Sequence, residues 1–465
     1  MDERLKRAFY AVPAAAGMVF CLWYLSRAAI NLCYTDYIRL VNSYLPDVTN
    51  PAKFLVPDIL TRCPVTYLFR IINVKLLRYN TWFDMILGVI SMGLGAFALG
   101  LYARRREMNP VYFLLLMAVY YSLHQWEMLT NGTGWVCYLA VSGFFWHFAV
   151  LDYAAWDGAS HRRDRLLLYL LPFPVILAAA GQYCASYAAI LFFAYVMLLA
   201  RDRGMRRRTL VWAFGLIFAM TAFGLYLWSN SYAVYEHRET TELTLMAAWK
   251  TDFLFPARFL VKSFASDLVG IGPLLSWEGH GAAGEAAVYG TGILAIALYL
   301  WAMVKILRTR MWEDTVLPIL LVLSGGLNHL LVLAARWIFL DDGYGMSSRY
   351  ALQYRMGILG ILLVFAAAES ARDEAGIRFS RPRRVLEVAC MALACCAVLA
   401  GTLYTDREEI RTAPYRKAMM EEAKNIALHW EEASDEDLKL YLQHDPEQVR
   451  KAMKILEDNR LNVFR

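Results

Sequence analysis

The sequence predicts an all-α membrane protein of about eleven transmembrane helices with a cytoplasmic N-terminus. Three observations carry that expectation. Apolar residues make up 59% of the 465 and aromatic residues 14%, above the roughly 45–50% apolar share of a soluble domain. The excess is gathered into runs close to the roughly 20 residues that span a bilayer. Lys and Arg cluster at alternate connections between those runs, the charge pattern of a multi-pass topology. The net charge of +6 therefore reads as topology and not as a phosphate-binding face, and no nucleic-acid partner is expected. The eight cysteines are scattered with no CxxC spacing, which argues against a zinc or redox motif.

The first run, 9–30, follows a basic start (Arg4, Lys6, Arg7) and is followed by no A-x-A cleavage signal, so it reads as a retained span. Further runs fall at 82–102, 110–125, 135–152, 166–180, 183–200, 209–229, 286–306, 315–338, 354–369 and 385–404. Pro172 and Pro174 bend the fifth, and Gly181-Gln182 separates it from the sixth. Basic clusters at Arg104–Arg106, Arg162–Arg165, Arg201–Arg208, Lys305–Arg310 and Arg372–Arg384 fall on one side, whereas 124–134 and 181–186 contain no Lys or Arg. The positive-inside rule then places the N-terminus inside, and an odd number of spans places the C-terminus outside. A transmembrane domain, 1–404, carries two large outer loops, 34–80 and 230–285, and is followed by an outer helical tail, 405–465. In the tail, Ser434 before Asp435 and Asp445 before Pro446 are helix starts. Val449, Met453, Ile455 and Leu456 form one apolar face of the last helix. The loop 230–285 mixes charge with aromatics and reads as interfacial helices lying on the membrane.

The groups able to do chemistry lie at the outer ends of these runs. Asp36 follows the first span directly, with Arg39 three residues on. It reads either as a carboxylate that takes a proton from a hydroxyl or as a solvated acid paired with Arg39. Asp58 and Arg62, four apart, are either a structural ion pair or a substrate-facing one. Glu127 and His124 sit above the third span, as a second acid near Asp36 or as a hydrogen-bonded cap. His147 and His329 lie within spans, where a lone histidine more often satisfies a helix contact. Arg336 is near the outer end of its span and can snorkel. The connection LDDGYGMSSRYALQYR places Arg349 and Arg355 at a helix start with Ser347 and Ser348 as caps. Free N–H groups and a guanidinium converging there suit a phosphate, the alternative being an ordinary capped helix with surface arginines. Cys33 and Cys63 are either bonded or two small apolar residues.

TDYIR at 35–39, the acid Glu127 in the second outer loop and SSRY at 347–350 before a late span, set on this topology, resemble GT-C-type integral membrane glycosyltransferases. The resemblance implies a polyprenyl-phosphate lipid donor, a glycan or other envelope acceptor, and an outward-facing site in a bacterial plasma membrane. Sugar transfer would proceed with inversion, Asp36 acting as base with Glu127 as the second acid. Arg349, with Arg62 or Arg336, would hold the phosphate. Arg39, Asp58, His124 and Tyr350 complete the implied substrate-binding set. Thr35 stands where the strongest form of the family motif has a second adjacent acid. No dense carboxylate cluster is present, so no metal or other cofactor is expected, with a divalent cation left open by the variety within the superfamily. Two other readings remain: a polysaccharide polymerase or ligase on polyprenyl diphosphates, and a transporter or flippase.

Overall fold

The computed structural model describes residues 3–55, 63–158, 161–231, 249–375 and 381–465, which are helical with no strand among them. The chain begins with α1 (Glu3–Ala28). Its first loop carries α2 (Asp36–Tyr44) and α3 (Pro64–Leu77), and α4 (Thr81–Arg105) follows. Next come α5 (Pro110–Tyr120), α6 (Trp126–Thr130), α7 (Trp135–Asp157), α8 (Arg162–Leu170), α9 (Cys184–Arg201) and α10 (Arg206–Asn230). The second half holds α11 (Phe255–Leu268), α12 (Ile271–Glu278), α13 (Ala282–Thr309), α14 (Leu317–Arg336), α15 (Ser348–Ala375) and α16 (Arg381–Leu428). The tail closes with α17 (Asp435–Leu442) and α18 (Pro446–Asp458).

Among the described residues nine helical stretches are long and apolar enough to cross a membrane. Their outward faces are apolar too. On α4, Ile86, Ile90, Leu94 and Phe97 form an exposed stripe at helical spacing, which lipid can cover and water cannot without cost. The coarse expectation of an all-α, multi-pass membrane protein is met. Three of the eleven apolar runs take a different form from a simple helix. The run at 110–125 gives only eleven residues of α5, about 16 Å of helix, before the chain passes through a 3₁₀ turn (Leu123–Gln125) into α6. The runs at 166–180 and 183–200 form one stretch of 40 residues, Arg162–Arg201. That stretch reverses at Gly181, whose φ of 48° suits a residue without Cβ. A π-helical turn over Val175–Ala180 leads into the reversal.

The two ends of the bundle differ in character. At one end Arg106 binds Asp152 (2.7 Å) and Asp314 (3.1 Å), and Arg201 donates to the carbonyls of Ala155 and Trp312. Asp152 also accepts from Thr315 Oγ1 and from the N–H groups of Val316 and Leu317. It thereby satisfies orphan donors at the N-terminus of α14 from a different helix. At the opposite end lie the first loop, Gly181 and the C-terminal tail, tied together below. Helix contact inside the bundle relies on small residues where backbones meet. A Cβ on Gly325 of α14 would collide with the backbone N of Gly357 in α15, so glycine at 325 permits the approach.

α16 runs unbroken for 48 residues, about 72 Å, more than twice the roughly 30 Å of hydrocarbon in a bilayer. Its second half leaves the apolar bundle and carries the tail. Both expected tail starts form: Ser434 Oγ accepts from Asp437 N–H and Asp445 Oδ1 from Gln448 N–H, each at 3.1 Å. Val449, Met453 and Leu456 are fully buried, in one apolar cluster with Tyr37, Ile38 and Val41 of α2. The tail and the first loop therefore share a core.

α11 departs from the interfacial helix expected in the loop 230–285. Phe259, Ser263, Ala265 and Asp267 on it are buried, and it packs against α13, α14 and α15. Glu236, His237 and Arg238 of the same loop lie outside the described residues.

Candidate functional site

The residues at the start of α2 are held from three directions. Tyr37, Ile38, Leu40, Val41 and Tyr44 are buried, a spacing that turns one face of the helix into the core. The Tyr37 hydroxyl donates to Asp84 Oδ2 at 2.9 Å. Thr35, just before the helix, has φ 45° and ψ −118°, a conformation that is strained for a β-branched residue. Its N–H donates to the carbonyl of Leu442 in the tail at 2.8 Å. Asp36 therefore sits on a backbone whose shape the surroundings impose.

A cavity of about 330 Å³ opens beside it. Its wall takes Asp36 and Arg39 from α2, Glu127 and Asn131 from the α6 turn, and the backbone around Gly181. Arg336, Tyr344, Arg349 and Tyr350 close the α14–α15 side, and Gln443 and His444 of the tail complete it. Six of the residues expected from the sequence thus converge: Asp36, Arg39, Glu127, Arg336, Arg349 and Tyr350. Asp58 and Arg62 lie outside the described residues. His124 does not line the cavity. It is 1% exposed, with Nδ1 on Ser122 Oγ (2.8 Å) and Nε2 facing Thr405 Oγ1 (3.4 Å), bonds that fasten the α5–α6 connection to α16. Arg355, expected beside Arg349, is likewise buried and binds the Asp267 carbonyl and Thr402.

The two carboxylates differ in freedom. Glu127 is fully engaged, with Oε1 paired to Arg349 Nε and Oε2 accepting from Ser348 Oγ at 2.8 Å. Such charge-assisted contacts are the stronger kind. Asp36 accepts a long bond from Asn131 (3.3 Å), and its other oxygen is 3.7 Å from Arg39 Nη2, beyond hydrogen-bond length. Asp36 is the carboxylate with capacity to spare. The Arg336 guanidinium lies 5.9 Å from the ring centres of both Phe339 and Tyr350 and pairs with no carboxylate among the described residues. Tyr34 borders the same groups. Desolvation, reinforced by the charge of Glu127 and opposed by that of Arg349, pushes its phenol up to about 12, so it stays a neutral donor at physiological pH.

Beside the cavity, Asp342 bridges Arg258 (2.6 Å) and Lys262 (2.8 Å), and Lys262 also reaches Glu278 (2.8 Å). This latch ties the 3₁₀ turn Asp342–Met346, which carries Tyr344, to α11. Cys33 and Cys63 are not joined in a disulfide. His147 is satisfied by Tyr187 and Tyr195, and His329 by Ser263 and Asp267. Among the described residues no three His, Cys, Asp or Glu side chains stand close enough to hold a metal ion.

The sequence did not point to Gln443 and His444, because nothing local distinguishes a glutamine and a histidine at a helix end. Comparison of the chain with protein-family models, with curated proteins and with solved structures returns no match.

Proposed function

We propose that the protein is a multi-pass membrane glycosyltransferase that moves a sugar from a polyprenyl-phosphate donor to an acceptor hydroxyl. The observation that carries this reading is the cavity itself, where the loosely held carboxylate of Asp36 shares a wall with Arg39, Arg336 and Arg349. Its chemistry suits the transfer. Asp36 takes the proton of the acceptor hydroxyl, the oxygen attacks the anomeric carbon, and the bond from that carbon to the phosphate oxygen breaks. The leaving phosphate departs with the electron pair, and the configuration inverts. Arg336, which pairs with no carboxylate among the described residues and is set among aromatic rings, is the cation best placed to neutralise the phosphate. Glu127 is engaged with Arg349 and Ser348, and its part is to position that arginine.

Topology supports an outward-facing site. Counting α5 with α6 as one pass and the two arms of the Gly181 reversal as separate passes gives eleven crossings. The cavity lies at the end opposite the arginine-rich connections, which the positive-inside rule assigns to the cytoplasm. In this reading the membrane is a bacterial plasma membrane, the N-terminus is cytoplasmic, and the tail lies outside with the site.

The test is Asp36→Asn in the purified chain, supplied with polyprenyl-phosphate-linked sugars and membrane glycan acceptors. Transfer is expected to fall by about 10²–10⁴-fold, the usual worth of a general base, with the thermal transition unchanged. Full activity in that variant removes Asp36 as the base.

A transporter or flippase is the second reading, favoured by the fully buried Asp267–His329 pair (3.1 Å) at the middle of α14. Ionisable pairs at that depth often mark a pathway. Substrate-dependent flux into liposomes with no covalent product would select it.

A further inference from the structure

The C-terminal segment brings to the cavity a group that the acid–base reading leaves unused. The bond from Thr35 N–H to the Leu442 carbonyl, 2.8 Å, seats the next two residues against the start of α2. Gln443 adopts φ 54°, ending α17 and turning the chain so that His444 joins the cavity wall. His444 Nδ1 accepts from the backbone N–H of Asp445 at 2.9 Å. The neutral ring therefore carries its proton on Nε2, where no acceptor among the described residues takes it.

Arg39 is in a similar position. Its Nε and Nη2 atoms are buried without a hydrogen-bond partner, and the Asp36 carboxylate is 3.7 Å away. Buried donors are rarely left unmade without a reason such as an absent ion. The two groups are close enough to feel each other: burial and then the charge of Arg39 hold the His444 imidazole below its usual range, against the opposing charges of Asp445 and Asp36. The remaining cations are placed elsewhere. Arg349 is committed to Glu127, and Arg336 stands among Phe339 and Tyr350.

We propose that Arg39 and His444 form a second anion subsite in the cavity, one that takes a phosphate or carboxylate carried by the acceptor. The assignment to the acceptor rests on the glycosyl-transfer reading, because the molecule deprotonated by Asp36 is the one that lies over Arg39, one turn away. The anion subsite itself does not depend on that reading. It makes the acceptor an acidic molecule, such as a phosphorylated or uronic-acid glycan, and it makes the tail part of the specificity of the enzyme.

The test titrates the purified full-length chain in detergent with inorganic phosphate at constant ionic strength, followed by calorimetry. Two phosphate equivalents are expected. Arg39→Gln and His444→Leu should each weaken one of them by about tenfold, the loss of one charge-assisted hydrogen bond, without moving the melting temperature. His444→Gln keeps a donor and should bind within about threefold of the parent. Arg336→Gln should weaken only the other equivalent, and a polyprenyl monophosphate should displace only that one. Unchanged phosphate binding in both Arg39→Gln and His444→Leu overturns the subsite. Displacement of both equivalents by the polyprenyl phosphate overturns its assignment to the acceptor. Because binding is read without turnover, inactivity towards every sugar donor would remove the glycosyltransferase reading alone.

Discussion

Tyr37 follows Asp36 in the chain, is 1% exposed, and donates to Asp84, itself buried. Replacing it with phenylalanine removes one partner from a buried carboxylate, a loss of about 1–3 kcal/mol. Tyr37→Phe is therefore expected to lower the melting temperature of the purified protein, and a transition unchanged from the parent would show that Asp84 finds another donor. Glu127→Gln tests the unequal freedom of the two acids. It frees the Arg349 side chain, and on the glycosyltransferase proposal transfer should fall by about 10-fold, less than for Asp36→Asn, because an aiming contact is lost and not the proposed base. A larger loss than for Asp36→Asn would exchange the two roles. At this scale the sequence was informative where acid and base stood beside the ends of apolar runs, as at Asp36, Glu127, Arg336 and Arg349. Of the two readings open for His124, the structure gives the hydrogen-bonded one. A polar residue next to a span end looks exposed in one dimension, yet the helix breaks early there and Thr405 arrives from far along the chain to bind it.

Among the elements, the latch on α11 has a defined acid limit. Burial alone would raise the Asp342 carboxyl, but the hydrogen bonds from Lys262 and Arg258 hold it below its usual range. A carboxyl lowered in the folded state contributes stability in full above its unfolded value, about pH 4, and loses it as the pH falls through the lower folded value. The parent should therefore lose thermal stability more steeply below about pH 4 than Asp342→Asn does; parallel melting curves against pH would assign the acid loss to other carboxylates. The apolar runs and the basic connections between them were legible because bilayer thickness and charge asymmetry act on composition directly. The reversal at Gly181 was marked by its glycine, whereas the early end of α5 was not, since its sequence stays apolar through Tyr121. The interfacial expectation fails for α11 in the loop 230–285 because its aromatics suit a membrane surface and a helix interface equally well. The buried contacts of Ser263 and Asp267 with His329 decide for the interface.

For the whole molecule the deciding residue is Asn462. It is fully buried, accepts from the N–H of Cys33, and donates to Asn31, to the carbonyl of Tyr79 and, from its backbone, to that of Arg78. Asn462→Ala leaves several of those groups unmatched and is expected to cost about 3 kcal/mol, read as a drop in melting temperature together with faster proteolysis of the first loop. No drop would mean that water replaces the side chain. Single-sequence reading found the helices of the tail but not this docking, because hydrogen bonds between distant segments leave no periodicity in either one. The bond between Cys33 and Asn462 joins residues 429 positions apart. During biosynthesis the first loop must therefore wait while the intervening chain is made, roughly 20–90 s at the usual 5–20 residues per second. Until then Thr35 has no carbonyl from Leu442 to hold its backbone in place, and a nascent chain already threaded into the membrane carries a cavity whose wall still lacks Gln443 and His444.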